Sequence, residues 1–394
     1  MLSVTSKPRP AAYMPQLDGL RAVAVAFVMA FHFVPWVDRY APLGTIGVRL
    51  FFVLSGFLIT GILLSWRGRP LGLALQTFYA RRALRIFPLF YFVLAAAAAL
   101  NIGPVRDTFA WHATYLSNLY FYLRGDWHGS VSHLWSLAVE EQFYMVWPLL
   151  ILCAPERWLR PMVTAMIVMA PVSRLLFPNP MDSVLPTSCL DSLGIGALLA
   201  LNAPALNPAA PHKRVPYESG KKWVPNGMSL WAATLLVSAT LGLRYAGLGG
   251  HYQVVGLDFG VSLLSAWLVG GAAVGFRGLA GRLLSSRPMI AVGRISYGLY
   301  VYHGFTPYLL GRYVPGFTAM DWPLRFALLT SATGLIAVIS WRFFERPLLQ
   351  LKSRVGQITR STDQITSSRD RPIDRSITTS PNHEITKFIP SVSP

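Results

Sequence analysis

The residues most able to do chemistry sit where a purely structural sequence would avoid them. The apolar run from residue 17 to 36 contains Asp18, Arg21 and His32. An ionisable group within a membrane span costs roughly 2.5–3.5 kcal/mol on insertion scales, and by default it marks a functional interior. Arg21 and His32 are eleven residues apart, about 16 Å along a helix axis and within about 20° of one another around it. Asp18 falls within about 40° of His32 on the same stripe. A base, a cation and an acid on one stripe favour a functional role. The same residues also fit an interfacial Asp18–Arg21 ion pair with His32 as a core histidine.

A second group is His133-Leu-Trp-Ser136-Leu-Ala-Val-Glu140-Glu141-Gln142-Phe-Tyr144, which places two carboxylates and an amide in an apolar segment. Adjacent residues point about 100° apart on a helix, so Glu140 and Glu141 cannot share one role: one faces a cavity and the other a basic partner. A buried carboxylate near a histidine is the pairing that activates a hydroxyl. A third group, Arg81, Arg82 and Arg85, stands among aromatic residues before Pro88. Positive-inside topology accounts for such a cluster. Guanidinium forks also match the phosphates of a nucleotide-bearing donor and stack on its planar ring. Ser55-Gly56 in the second apolar run is small enough for close approach of a helix or a ligand. Softer features are Asp191, Ser296-Tyr297 with Tyr300-Val-Tyr302-His303, and Glu345-Arg346-Pro347, which reads as a helix stop with an interfacial ion pair.

The elements holding these residues are membrane helices. Of 394 residues, 53% are hydrophobic and only 13% charged, about half the charge of a soluble domain. Runs of the length a span requires lie at 17–36, 46–65, 84–100, 134–153, 160–177, 187–203, 228–247, 254–275, 289–310 and 323–343. The first lacks a small-residue cleavage site and reads as a retained span. Lys7 and Arg9 place the N terminus in the cytoplasm, as does the 67–85 arginine cluster for the second connection. Lys213, Arg214, Lys221 and Lys222 do the same for the loop near 203–227, and Arg277, Arg282 and Arg287 for the next one. Residues 85 and 203 then share a side, which requires an even number of crossings. The weak aromatic segment 109–123 is therefore assigned as re-entrant. The expected fold is all-α, a polytopic bundle of about ten transmembrane helices over residues 1–350 with both termini cytoplasmic. Residues 351–394, rich in Ser, Thr, Arg, Asp and Pro, read as a disordered tail.

The net charge of +18 lies in short clusters between apolar runs, which is topology and not a nucleic-acid footprint. Cys153 and Cys189 are 36 residues apart in apolar stretches, so they read as packed hydrophobes rather than metal ligands or a disulfide. Phosphate-binding glycine loops, HExxH and Gly-x-Ser-x-Gly elbows are missing from the sequence.

Taken in order, six segments resemble the acyltransferase-3 family of membrane proteins: Leu17-Asp-Gly-Leu-Arg21 with His32, Phe51-Phe-Val-Leu-Ser-Gly-Phe57, Arg82-Ala-Leu-Arg-Ile-Phe-Pro88, the His133–Tyr144 run, Ser296-Tyr-Gly-Leu-Tyr-Val-Tyr-His303 and Glu345-Arg-Pro347. The resemblance implies transfer of an acetyl or succinyl group from cytoplasmic acyl-CoA to a hydroxyl beyond a bacterial cytoplasmic membrane, on a polysaccharide, lipid-linked sugar or glycolipid. It implies no metal. By the same resemblance Arg21 and His32 form the essential pair and Arg82 with Arg85 the donor-side pair, with Arg81 and Ser55 alongside. His32, oriented by Glu141 or Glu140, serves as general base or relays the acyl group, with His133 and Asp18 as further candidates. Arg21 positions donor phosphate or stabilises charge. Arg49 departs from the family pattern, in which many members are acidic there. No hydrolase-like domain follows the last span, which leaves acceptor delivery to this bundle or a partner. A proton-coupled transporter or flippase is the competing class. Uptake without acyl-CoA would single it out, and the inverted repeat that many transporters show is not visible.

Overall fold

The computed structural model describes residues 13–179, 181–203, 227–248 and 250–350. Every regular element among them is a helix. The tail after residue 350, the N-terminal Lys7 and Arg9 and the loop at 204–226 lie outside the described residues. The ten expected spans each coincide with helical chain. Seven are long and apolar enough to cross a bilayer. They include α1 (Pro15–Phe33), α2 (Leu43–Leu64), α3 (Leu71–Ala99), α6 (Trp135–Cys153) and α7 (Glu156–Leu176). The C-terminal pair is α10 (His251–Val274) and α14 (Trp322–Ser340). Two are shorter, α8 (Leu190–Asn202) and α9 (Gly227–Tyr245).

Three expectations need correcting. The third helix starts at Leu71 and not near residue 84, so the arginines at 81, 82 and 85 lie within it rather than ahead of it. Its 29 residues give about 43 Å, long enough to pass through the hydrocarbon and continue beyond it. Good helix formers such as Leu, Ala, Gln and Arg recur over residues 71–83 and extend the helix ahead of the expected start. The run 289–310 is not one helix but three: α11 (Arg287–Arg294), α12 (Ser296–His303) and α13 (Thr306–Tyr313). It stops at Gly304, and α13 restarts with Pro307 in its first turn, where the missing N–H is harmless. Finally, Glu345 does not end a helix in an interfacial ion pair. It closes a π-helical turn, Trp341–Glu345, is buried, and accepts a hydrogen bond from Ser340 Oγ at 3.2 Å.

The segment expected to be re-entrant is two short helices, α4 (Phe109–Ala113) and α5 (Ser117–Arg124), with Tyr115 between them at positive φ. Gln142 of α6 holds the break in place. Its amide donates to Tyr115 O at 2.7 Å and exchanges hydrogen bonds with the Asn118 amide at 3.1 Å each way. A polar residue in an apolar helix thus satisfies backbone that the broken segment leaves open.

The centre of the bundle is the crossing of α2 with α8. A Cβ on Gly56 would collide with the backbone of Leu193, and one on Gly196 with the backbone of Val53. The two glycines let the chains touch backbone to backbone, which is how helices gain dispersion contact where lipid removes the hydrophobic drive. Trp147 of α6 caps the same junction with a 2.8 Å bond from Nε1 to Thr60 Oγ1. Of the two thiols, Cys189 is buried with Sγ 3.3 Å from Ser183 O, whereas Cys153 is exposed at the end of α6 rather than packed.

Above this crossing lies a buried ionic quartet that sequence reasoning did not assemble. Arg49 (α2) contacts Asp258 (α10) and lies 3.3 Å from Asp191 (α8). Arg174 (α7) contacts Asp191 and lies 3.6 Å from Asp258. All four side chains are buried. Two cations and two anions cancel, so Arg49, out of place in the family pattern, is here one corner of a closed square. Removing one partner strands a charge, at about 3–5 kcal/mol. Arg174→Met should therefore lose that much stability and Arg174→Met/Asp191→Leu about half as much or less. Thermal unfolding of detergent-solubilised protein, followed by its monodisperse chromatographic peak, checks the difference. A double variant as unstable as the single would contradict it.

Candidate active site

A cavity of about 90 Å³ opens among α1, α2, α3, α6 and α12. By the measure that allots roughly 10–15 Å³ to one water, it holds several waters or a small acyl group. Arg21, Arg82 and Arg85 line it together with Ser55, Ser136, Glu140, Tyr144, Ser296, Tyr297 and Tyr300. Helical spacing delivers this set. Arg82 and Arg85 are three residues apart on α3, and Ser136, Glu140 and Tyr144 recur every four residues along one face of α6.

The polar groups are coupled. Arg21 lies 3.8 Å from Asp18, whose other oxygen accepts from Tyr13 OH at 2.7 Å. The ion pair anticipated between Asp18 and Arg21 is therefore present, and Asp18 does not extend toward His32. Arg82 lies over the Tyr144 ring at 5.1 Å and the Phe78 ring at 5.8 Å. Tyr144 OH donates to Glu140 at 3.2 Å and meets Ser55 Oγ. Arg21, Arg82 and Glu140 interact electrostatically, as do Arg85 and Glu345. Three guanidiniums thus face one small volume with Glu140 on its wall, while Asp18 and Glu345 reach Arg21 and Arg85 from outside the lining, so positive charge is concentrated on the chamber side, where an anion can meet it.

Arg81 is not part of this wall. Its guanidinium stacks on Trp66 at 5.5 Å, because the neighbouring position on a helix points about 100° away. The same rule separates the glutamates. Glu140 lines the cavity, while Glu141 is buried away from it with Oε1 making no hydrogen bond. No basic residue forms an ion pair with Glu141 among the described residues.

His32 meets neither glutamate in a hydrogen bond or an ion pair, contrary to the expected carboxylate partner. Its neighbours are other histidines. His32 and His303 meet edge to face with ring centroids 4.8 Å apart, and His303 and His133 do so at 4.5 Å. The physical reason is the end of the bundle each residue reaches: His32 lies at the end of α1, His303 closes α12 and His133 precedes α6, whereas Glu140 lies about two turns further along, inside α6. Gly304 makes room for this row, since a Cβ there would strike the His133 ring. Each ring is fixed by a carbonyl, which can only accept. His32 Nδ1 donates to Val28 O at 2.9 Å, His303 Nδ1 to Tyr300 O at 2.6 Å and His133 Nε2 to Val301 O at 3.2 Å. No group of His, Cys, Asp or Glu suited to a metal ion occurs among the described residues.

Tyr300 joins the two regions. It lines the cavity, its OH donates to His133 O at 2.8 Å with Ser136 Oγ at 2.5 Å, and its ring lies 5.3 Å from His303. A cationic chamber and a histidine row therefore back onto opposite sides of one tyrosine. Sequence reasoning noted Tyr300 and His303 without assigning them a place. Arg174 and Asp258 it passed over, although an ionisable residue within an apolar run was the signal that singled out Glu140.

The architecture agrees with comparison to known proteins. The acyltransferase-3 family model, described as an acyltransferase domain, matches residues 14–342. Peptidoglycan O-acetyltransferase OatA of Listeria monocytogenes is 28% identical over 85% of this chain and 56% of its own length. O-acetyltransferase OatA of Staphylococcus aureus is 29% identical over 85% and 57%. A putative peptidoglycan O-acetyltransferase of Bacillus subtilis, YrhL, is 30% identical over 85% and 55%. The chain thus matches little more than half the length of these curated relatives. No solved structure matches it. Six ordered motifs, the helix bundle that unites them and a family match over residues 14–342 lead to one assignment: this multi-pass membrane protein belongs to the acyltransferase-3 family.

Proposed function

We propose that the protein transfers an acyl group, acetyl in the first instance, from acyl-CoA on the cytoplasmic side to a hydroxyl of an envelope glycan on the other. The observation carrying this reading is the chamber whose wall combines Arg21, Arg82 and Arg85 with Glu140 and ends at Ser136 and Tyr300, next to the histidine row. Coenzyme A carries several phosphates, and arginine forks hold phosphate strongly. The basic clusters at 67–85 and 277–287 assign that end of the bundle to the cytoplasm. The relatives named for O-acetylating peptidoglycan support a cell-wall glycan as acceptor. The membrane is then a bacterial cytoplasmic membrane.

In this mechanism the guanidiniums anchor the donor and orient the thioester along the chamber. His32, with its proton held on Nδ1 by Val28 O, keeps a lone pair on Nε2, as a general base must. It is exposed at the end of α1, open to an acceptor from that side. Binding must shift Tyr300 or Ser136 for the thioester carbon and the acceptor oxygen to meet, because these two side chains separate the chamber from the histidines.

Membrane vesicles supplied with radiolabelled acetyl-CoA, with their own glycan as acceptor, test the base. His32→Ala should abolish base-labile glycan label while expression stays normal, and full labelling would sink the mechanism. The donor site has its own signature. Removing one phosphate-binding guanidinium loses about 1.5–3 kcal/mol, so Arg82→Ala or Arg85→Ala should raise the donor KM about ten- to a hundred-fold. Arg81→Ala should leave the donor KM within about threefold, and steady-state kinetics on the same vesicles compare the three. Mass spectrometry of the glycan reads the acyl group directly, as a gain of about 42 mass units for acetyl or about 100 for succinyl.

A further inference from the structure

We propose that His303 is the positioning residue and immediate proton acceptor for His32. The inference rests on the reading of His32 as general base. A base that takes the acceptor's proton becomes a cation, and among the described residues no carboxylate is in hydrogen-bond or ion-pair contact with His32 to stabilise it. The group in ring contact with it is His303, at 4.8 Å. His303 is 0% exposed and its Nδ1–H is committed to Tyr300 O at 2.6 Å. A neutral imidazole with its proton on Nδ1 has a lone pair on Nε2, and in His303 that nitrogen is buried without any hydrogen-bond partner. An unsatisfied buried acceptor is destabilising at rest and calls for an explanation. Receiving a proton during turnover is one, and it turns the defect into a function.

The surroundings support a proton acceptor rather than a packing residue. The titratable groups in ring contact with His303 are His32 from α1, His133 from the turn before α6 and Tyr300 from its own helix. The charged residues Arg21, Arg82, Arg85 and Glu140 lie on the chamber side of Tyr300. His133 is held in the row by its Nε2–H bond to Val301 O, with its ring against Gly304.

The transfer balances. The acceptor oxygen bonds to the acyl carbon as the thioester C–S bond breaks. The hydroxyl proton passes to Nε2 of His32, then to Nε2 of His303, and ends on the departing coenzyme A thiolate. His32 is thereby restored as a base.

His303→Asn tests this, because its amide nitrogen can keep the bond to Tyr300 O while the Nε2 acceptor is gone. In vesicles with radiolabelled acetyl-CoA and endogenous glycan, the variant should keep its donor KM within about twofold and lose turnover about a hundred-fold, the low end of general-base effects. Retention of more than a tenth of the turnover would overturn the proposal, because a purely structural histidine is rescued by that amide. The unaltered protein provides an independent measurement. Single-turnover transfer in mixtures of light and heavy water should give a bowed proton inventory, and a linear one would overturn the two-histidine step. Activity in His32→Ala would instead refute the base reading. A dead His32→Ala beside an active His303→Asn removes only the role of His303.

Discussion

A charge within hydrocarbon must be cancelled by a partner or reached by a polar cavity, and this bundle uses both solutions in separate places. Arg49, Arg174, Asp191 and Asp258 cancel one another completely and draw α2, α7, α8 and α10 together. Arg21, Arg82 and Arg85 instead surround an open chamber with Glu140, their other carboxylates, Asp18 and Glu345, lying outside its lining. The first arrangement has nothing further to gain from a ligand, whereas the second does. That difference separates a structural ionic core from a candidate site more sharply than burial could.

The rest of the fold serves the chamber. Glycine contacts at Gly56 and Gly196 press α2 against α8 and fix the helix that presents Ser55. The helix breaks around Ile295 and Gly304 shorten α12, so Tyr300 and His303 lie between the chamber and the end of α1. At the second break only glycine fits, since a Cβ at position 304 would strike the His133 ring. The π turn at Trp341–Glu345 acts in the same sense: one extra residue per turn rotates Glu345 inward, toward Ser340 and within electrostatic reach of Arg85. Irregular backbone at these depths is tolerable because protein covers it.

Much of this was legible in the residues. Apolar runs marked where the chain crosses, and the ionisable groups within them marked most of what lines the chamber: Arg21, Arg82, Arg85 and Glu140 were all singled out by being out of place. The 100° step around a helix separated Glu140 from Glu141 before any coordinates. It also separates Arg81 from Arg82, but the clustering of like residues obscured that. The His32–glutamate pairing failed because helical periodicity orders side chains around one axis and says nothing about the depth at which two helices meet. Arg174 and Asp258 were passed over because each alone resembles a charge at the end of a span.

What the sequence determined by itself is therefore local: helices, their apolar faces, the residues unfit for lipid and the ordered motifs of the family. Those properties follow from composition and from the fixed rise and turn of the helix. Only the tertiary structure decided which charges cancel, which remain around a cavity, and that His32 on α1 faces histidines rather than a carboxylate. Such pairings depend on crossing depth and on contacts between helices far apart in the chain, set by glycines such as Gly56, Gly196 and Gly304 whose role becomes visible only against the neighbour they admit.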